Sequence, residues 1–286
     1  SASASSSPPE RTMMTLPCVA RYTLRAAPML HPQPPPWGRE VEKGVDVRLT
    51  LRFGELARRA AQAVYGRLFA GAASPLLSGK RPDGAPLTGH HHTFFLPTDE
   101  DGDGRLDHLT LYCAAGFGPE EQQALAALDH VSAPEENLHV ALQRLPGTQP
   151  ADFPDAPLLA TALRWRSATP FSLTRHYKTR GRKRDRFPPE QLPEANLREE
   201  AARRGLPTII ALERLETGTL WDHARRCATG SRPVYWGEFH QRRAFGGGRH
   251  GDEMGVGFDI TFAEPATGPI ALGYACHFGL GLFVPA

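Results

Sequence analysis

Residues 89–108, which read GHHHTFFLPTDEDGDGRLDH, indicate a β-hairpin around which the rest of the chain can be arranged. Residues 92–96 are apolar and rich in aromatic side chains, and residues 106–112 alternate between apolar and polar side chains, as strands do. The segment between them contains several Asp and Gly residues; Asp side chains hydrogen-bond to the backbone in turns, and Gly adopts positive φ. The pattern therefore predicts two paired strands, with imidazoles where the first begins and carboxylates at the turn.

The segments that flank this hairpin predict a regular order of strands and helices. Upstream, the spacing of apolar residues predicts a strand at 18–24 and a helix at about 54–69, whereas residues 45–53 fit either a further strand or the approach to that helix. Downstream, Pro119 suits the first turn of a helix that continues to about residue 129, and residues 138–142 alternate as a strand does. Strand, helix, strand, strand, helix, strand is the order found in ferredoxin-like and RNA-recognition folds.

The second half of the chain follows a similar order of elements without repeating the sequence. Strands are predicted at 158–167, 208–215 and 256–262 and from 270 onward, and a helix at 193–204. We therefore predict an α+β fold of tandem ferredoxin-like, RNA-recognition-type modules with a C-terminal glycine-rich loop. The predicted divisions are a disordered N-terminal segment (1–15), an N-terminal ferredoxin-like module with the His-rich hairpin (16–150) and a C-terminal ferredoxin-like module with a basic loop and the glycine-rich loop (151–286).

Composition narrows the class of protein. Of the 286 residues 40% are hydrophobic, which is enough for a sizeable core, and the net charge of +2 indicates no general affinity for nucleic acid. The four Cys residues are widely spread and form no CxxC motif, which predicts reduced thiols in the cytoplasm and no zinc knuckle. No apolar run approaches the ~20 residues of a membrane span, and the N-terminal segment lacks the apolar core of a secretory signal. We predict no cofactor and no membrane partner.

The histidine triplet His90, His91 and His92 is the first candidate for chemistry. An imidazole titrates near neutral pH, so it can take or give a proton during catalysis. Because alternate residues of a strand share a face, His90 and His92 are predicted on one face and His91 on the other, which is compatible with two imidazoles acting on one bond. The alternative is a polar, hydrogen-bonded start to the strand.

The acidic turn resembles a calcium-binding loop. Asp99, Asp101 and Asp103 fall at the first, third and fifth positions of the EF-hand pattern, but Thr110 stands where that pattern needs a bidentate Glu. The flanking segments are also predicted strands, whereas an EF-hand loop lies between helices. We therefore predict that these carboxylates are mainly structural, forming a turn that is hydrogen-bonded to itself, with a hard-cation site as the alternative.

Residues 175–186, which read RHYKTRGRKRDR, contain seven basic residues and one acid, with His and Tyr available for stacking on bases. This density of positive charge in an otherwise balanced chain predicts a phosphate-binding loop, and a solvated loop is the alternative. Arg242 and Arg243 begin a second basic, glycine-containing stretch with the same predicted role. The residues predicted to contact RNA in the first stretch are Arg175, His176, Tyr177, Lys178, Arg180, Arg182, Lys183 and Arg184.

Two His-x-Thr motifs, at 91–93 and 108–110, resemble those of the two-histidine phosphoesterases. Those enzymes bring the motifs from symmetric, distant halves of the chain, whereas here both lie on one hairpin. If the turn is centred near residues 101 and 102, His108 faces Phe95 and lies about 10 Å or more from His91, at ~3.3 Å per residue. On this hypothesis His91 and His108 would matter more than His90.

Several motifs in the same order resemble one family more closely. They are Gly-His-x-His at 89–92, FFLP at 94–97, DEDGDGRLDH at 99–108, WRSATPF at 165–171, GPIALG at 268–273 and HFGLGLF at 277–283. Together they resemble the RAMP-superfamily fusion protein of type I-G (formerly I-U) CRISPR systems, which joins a repeat-handle-binding module to an endoribonuclease module. The resemblance covers about residues 18–286 and matches the endoribonuclease half.

This resemblance implies tandem ferredoxin-like modules and metal-independent cleavage of precursor CRISPR RNA. A base removes the proton of a 2′-hydroxyl, the oxygen attacks the adjacent phosphorus, and an acid protonates the leaving 5′-oxygen, which leaves a 2′,3′-cyclic phosphate and a 5′-hydroxyl. His90 and His92 occupy the matched positions for acid and base, and His91 is the weaker match. Tyr177, Lys178 or an Arg of the basic stretch would stabilise the phosphorane. The loop predicted to contact RNA contains His277, Phe278, Gly279 and Gly281.

The partners implied by the resemblance are the CRISPR RNA repeat hairpin, which is retained after cleavage, and other subunits of a type I effector complex. The glycines beside aromatic residues in the C-terminal loop suit RNA binding and a tight terminal turn equally well. Two alternatives for the function remain open at this point. One is a non-catalytic CRISPR-RNA-binding subunit that retains the processed handle within an effector complex. The other is a two-histidine cyclic phosphodiesterase.

Overall fold

The computed structural model describes residues 16–26, 44–136, 138–174, 188–215, 234–244 and 255–286. Within these residues the chain has an α+β fold built on two five-stranded antiparallel sheets, one in each half, and a two-stranded ribbon. The predicted disordered segment (1–15) and the predicted basic stretch (175–186) lie outside the described residues. None of the helices in the described part combines the length and apolar character that crossing a membrane requires.

The first half forms the first sheet, the ribbon and three helices. In chain order its elements are β1 (Val19–Ala26), β2 (Val45–Asp46), α1 (Thr50–Leu68), α2 (Pro75–Ser78), β3 (Phe94–Thr98), β4 (Arg105–Leu106), β5 (His108–Tyr112), α3 (Pro119–Ala126), β6 (His130–Ala133) and β7 (Leu138–Arg144). The sheet has the strand order β3-β5-β1-β7-β6, and β2 pairs with β4 in the ribbon. The predicted hairpin is therefore present as β3 and β5, at one edge of the sheet.

Helix α1 covers one face of this sheet. Its buried side chains recur at helical spacing and pack against buried residues of β1 and β5. The alternating residues 45–53 form only a two-residue strand, then a short 3-10 helix, before α1 begins at Thr50. The carboxylate of Asp46 accepts the backbone N–H of Arg48, and this cap starts the helical conformation early.

The second half forms the second sheet and one helix. Its elements are β8 (Thr161–Ser167), α4 (Leu192–Arg203), β9 (Ile209–Leu215), β10 (Gly257–Thr267), β11 (Ile270–Ala271) and β12 (Leu282–Pro285), with the strand order β11-β12-β8-β10-β9. Helix α4 buries Leu197 and Ala201 against aromatic residues of β8 and β10. The last strand, predicted to begin at residue 270, ends as β11 after two residues, and a loop with three glycines at positive φ separates it from β12.

The two halves share an apolar core. Phe278 and Leu280, from the loop between β11 and β12, belong to the same buried cluster as the inner face of α1. A second cluster joins Val19 and Phe94 of the first sheet to Leu282 of the second. The contact is close, because a Cβ added at Gly54 of α1 would lie 2.7 Å from the carbonyl oxygen of Phe278. The packing therefore fixes the loop that carries His277 against the start of β3.

Candidate functional site

The histidine triplet lies in a turn that precedes β3. Gly89 and His90 both have positive φ, of 76° and 58°, and the strand begins only at Phe94. Two consecutive left-handed residues break the extended backbone, so the prediction that His90 and His92 share one face of a strand is wrong. The turn brings them together in another way, around a third histidine from the second half.

His277 is that third histidine, and its ring is held by aromatic contacts on both faces. Its centroid lies 3.8 Å from that of His92 and 3.8 Å from that of Phe94, with interplanar angles of 8° and 21°. His90 meets its edge, with 2.8 Å between His90 Nδ1 and His277 Nε2. The other ring nitrogen of His277, Nδ1, lies 3.4 Å from the carbonyl oxygen of Thr93.

These contacts assign the tautomers of the pair. The carbonyl oxygen of Thr93 can only accept, so His277 Nδ1 carries the hydrogen and His277 Nε2 carries a lone pair. His90 Nδ1–H then donates to that lone pair, which leaves the lone pair of His90 on Nε2. The arrangement is a carbonyl–imidazole–imidazole chain that ends in an unprotonated nitrogen, His90 Nε2, which can accept a hydrogen.

The surroundings keep these imidazoles neutral near pH 7. Partial loss of solvent, followed by the charges of Arg204 and Arg203, lowers the pKa of His90 to about 4, although part of its side chain remains exposed. Burial is also the main cause that lowers the pKa of His277 well below its ordinary value, with His92 and His90 adding to it. The pKa of His92 falls to about 4, again chiefly through burial. Neutral rings are what the tautomer assignment requires.

A cleft of about 740 Å³ opens beside His90, between the two halves. The first half contributes His90 and His91, and the second half contributes Arg203 and Arg204 from the end of α4. Thr174 also lines the cleft, and the next residue in the chain is the first of the basic stretch. The cleft therefore combines imidazoles and guanidinium groups, and the basic stretch begins in the sequence directly after one of its lining residues.

Arg204 is fixed in the cleft wall by several contacts. Its Nη2 donates to Glu200 Oε1 at 2.6 Å and to Cys276 Sγ at 3.0 Å, and its guanidinium lies 5.6 Å from the centroid of Phe94. The other carboxylate oxygen of Glu200 accepts the backbone N–H of Gly273 at 2.8 Å. A cation held in this way beside a cleft is suited to attract phosphate.

Sequence reasoning did not identify Arg203, Arg204, Glu200 or Cys276 as members of a site. The only local signal was an arginine pair at the end of a predicted helix, where it also complements the helix dipole. Nothing in the sequence indicates that this helix end faces a histidine turn more than a hundred residues away.

His92 does not line the cleft. It packs on His277, and its Nδ1 is buried without a partner among the described residues. The structure therefore places His92 behind His277, where it fixes the ring plane, while His91 stands on the rim beside His90.

Other residues predicted to contact RNA have protein partners. Arg243 Nε donates to the buried carboxylate of Glu55 at 3.0 Å, and its guanidinium lies over the Phe278 ring at 4.8 Å. Phe278, Gly279 and Gly281 are buried and do not line the cleft. A Cβ at Gly281 would lie 1.7 Å from the carbonyl oxygen of Leu272, so protein packing already requires this glycine. Arg242 is exposed, outside the cleft lining.

The carboxylates of the acidic turn accept backbone N–H groups. Asp99 accepts those of Gly102 and Gly104, at 2.8 and 2.9 Å. Asp107 accepts those of Glu100 and Asp101, and Asp101 and Asp103 each accept from the residue two positions later. These bonds give the turn its shape, at the opposite end of β3 from the histidines.

The register of the hairpin separates the two His-x-Thr motifs. His108 pairs with Thr98, and not with Phe95 as the assumed turn centre implied. All of β3, roughly 13 Å at ~3.3 Å per residue, therefore lies between His91 and His108. His108 Nδ1 is also engaged by Asp107 at 2.8 Å. The two motifs do not form one site.

Fold and site together define an α+β protein whose halves meet at a cleft lined by imidazole and guanidinium groups. Comparisons with protein-family models, curated proteins and solved structures find no match to this chain.

Proposed function

We propose that this chain is a metal-independent endoribonuclease of the RAMP superfamily, which cleaves CRISPR precursor RNA in the cleft between its halves. The observation that carries the proposal is the chain Thr93 carbonyl–His277–His90, which leaves a basic nitrogen beside two arginines. A base and an anion-binding group in one cleft, with a partner that orients the base from behind, are the parts that attack of a 2′-hydroxyl on a phosphodiester requires.

The strand orders support the proposal of two ferredoxin-like modules. Without the outer strands β6 and β11, the first sheet reads β3-β5-β1-β7 and the second reads β9-β10-β8-β12. In both halves this is the order second, third, first and fourth strand, which is that of the ferredoxin-like fold. In the second half a 3-10 turn, Cys276–Phe278, stands where the second helix of such a module would be.

The proposed chemistry starts at His90. Its Nε2 takes the proton of the 2′-hydroxyl, the oxygen attacks the phosphorus, and the bond to the 5′-oxygen breaks. The imidazolium that forms donates from Nδ1 to His277, whose own N–H points to the Thr93 carbonyl, so the positive charge is stabilised as in other oriented bases. His91, at the cleft rim, donates the proton to the leaving oxygen.

The arginines of the cleft stabilise the charge that develops on phosphorus. Arg203 and Arg204 line the same wall, and Arg204 is already oriented by Glu200 and Cys276. The basic stretch at 175–186 and Arg242 hold the flanking backbone of the repeat hairpin. After cleavage the RNA stays bound in the cytoplasm within a type I effector complex.

The test is cleavage of a labelled CRISPR repeat hairpin in the presence of EDTA. We expect one discrete cut with a cyclic phosphate end, and a His90→Ala rate lower by about 10²–10⁴-fold at unchanged RNA affinity. His130→Ala is the matched control, because His130 lies on β6 outside the cleft lining. Tight binding without cleavage would leave the RNA-holding alternative, and absence of binding would refute the proposal.

A further inference from the structure

We propose that Cys276, His277 and His90 form a binding site for a thiophilic divalent transition-metal ion such as Zn²⁺, and that the bound ion switches the cleft off. The metal site stands on the geometry of the three residues alone. The inhibition rests on the proposed function, because it needs His90 to act as the base.

The donor atoms are close enough to share one ion. A ring nitrogen from each histidine and the Cys276 sulfur all lie within 4.8 Å of one another. One sulfur and two imidazole nitrogens form a set that suits Zn²⁺ and its neighbours, whereas Mg²⁺ and Ca²⁺ prefer oxygen. Tetrahedral Zn²⁺ would place such atoms about 3.4–3.6 Å apart, so shifts of about 1 Å suffice.

The surroundings of the donors resemble the outer shell of a metal site. Histidines that bind metals usually donate their other N–H to a carbonyl or carboxylate, and His277 Nδ1 lies 3.4 Å from the Thr93 carbonyl oxygen. Arg204 Nη2 lies 3.0 Å from Cys276 Sγ, in position to donate to a thiolate, and Glu200 balances the arginine charge. The stacked rings of His92 and Phe94 fix His277 in its plane.

His90 is the ligand that completes the site. Cys276 and His277 are adjacent in the packed loop, whereas His90 comes from the exposed turn before β3, in the other half of the chain. Three protein ligands would leave a fourth coordination position, as in zinc sites that hold a water, and His90 is the ligand that lines the cleft.

Metal binding at this site and base catalysis by His90 exclude each other. The His90 nitrogen nearest to His277 is Nδ1, and a neutral imidazole that binds a metal through Nδ1 carries its hydrogen on Nε2. That nitrogen can then no longer accept the proton of a 2′-hydroxyl. The lone pair of His277 Nε2, which orients His90 in the free protein, is used by the metal as well.

The test uses Co²⁺ as a spectroscopic probe of the full chain. We expect one equivalent to produce a thiolate-to-metal charge-transfer band and tetrahedral visible bands, and Zn²⁺ to displace both. Cys276→Ser should abolish the thiolate band, and His90→Ala, in an exposed turn, should weaken binding by about 10-fold or more. Cys18→Ser is the control, since that thiol contacts Gln149 outside the cluster.

The outcomes separate the metal site from the nuclease. A thiolate band that is absent in the unchanged chain, or that persists in Cys276→Ser, would refute the metal site, as would unchanged Co²⁺ affinity in His90→Ala. Equimolar Zn²⁺ should lower cleavage at least about 10-fold, with recovery in EDTA; cleavage that is unchanged at saturating Zn²⁺ would refute the inhibition. A band without any cleavage in EDTA would refute the proposed function and leave the metal site standing.

Discussion

His277 orients the candidate base although 187 residues separate it from His90 in the chain. Its plane is set by stacking with His92 and Phe94, and its tautomer by the Thr93 carbonyl. In the proposed mechanism His92 therefore acts through its ring contact with His277 and transfers no proton. This distinction between a stacking and a proton-transfer role can be tested at a single residue.

His92→Phe should retain most of the cleavage activity, because a phenyl ring can still stack on His277. His92→Ala removes the ring and should lower kcat by about 10-fold or more, while RNA affinity changes little. Single-turnover cleavage of the repeat hairpin measures the activity of both variants, and thermal unfolding checks that both remain folded. If His92 transferred a proton, the two variants would be equally inactive.

At the residue scale the sequence indicated the histidine triplet but not its geometry. Three consecutive histidines are visible in the sequence. Their arrangement in a turn, rather than in a strand, depends on left-handed backbone conformations at Gly89 and His90. Such a conformation at a histidine has no reliable sequence signature. The contact with His277 is a tertiary one, so neither spacing nor periodicity could predict it.

At the scale of secondary structure, the end of α4 supplies charge to the cleft. Arg203 is exposed in its last turn and lines the cleft, while Arg204 follows it at the cap. Both are placed by the length of the helix, so one more or one fewer residue would direct these side chains elsewhere. The helix itself was predicted from the proline in its first turn and from Gly205 at its C-terminus.

Arg203→Met should weaken RNA binding without affecting the fold. If this guanidinium neutralises one phosphate, the slope of log affinity against log salt should fall by about 1. Arg67→Met is the matched control, because Arg67 is also exposed in the last turn of a helix, α1, and lies outside the cleft lining. Equal salt slopes for the two variants, measured by filter binding or anisotropy, would show that Arg203 contacts no phosphate.

The acidic turn contributes to stability in a pH-dependent way. Burial acts to raise the pKa of Asp107, but hydrogen bonds from His108 and the N–H groups of Glu100 and Asp101 outweigh it, so the pKa lies below its ordinary value. A carboxylate with a lowered folded pKa stabilises the protein above its unfolded pKa, near about 3.9. This contribution disappears as the pH falls through the folded value.

Asp107→Asn should therefore lower the free energy of unfolding at pH 7 by about 2 kcal/mol, and the difference should shrink below about pH 4. Urea denaturation across this pH range measures it. Asp155→Asn, at an exposed carboxylate, is the control and should change stability little at any pH. If the stability difference grew as the pH falls, the direction assigned to the pKa shift of Asp107 would be wrong.

Periodicity and turn residues were enough to predict the order of most strands and helices. They did not predict where a strand pattern gives way to helix, nor the shortest strands. Residues 45–53 alternate like a strand but form mostly helix, because a local cap outweighs a pattern that has no partner strand along most of its length. The short strands β6 and β11 carry too few residues for periodicity to reveal them.

At the scale of the whole molecule, the packing between the halves is what assembles the site. Phe278 lies in the core shared with α1, and its ring is contacted by the guanidinium groups of Arg58 and Arg243 at 5.1 and 4.8 Å. The adjacent residue is His277, so any movement of this ring moves the residue that orients His90. The sequence predicted two modules but gave no measure of how they contact each other.

Phe278→Ala should lower the free energy of unfolding by about 3–5 kcal/mol, because it leaves a cavity in the core that both halves share. Ile210→Ala removes a comparable apolar side chain that is 64% exposed and should cost less than about 0.5 kcal/mol. Because the halves share this core, the weakened variant should still unfold in one transition, with fluorescence and circular dichroism coincident. Two separated transitions would mean that each half is stable alone; the contact would then fix the position of His277 without holding either module together.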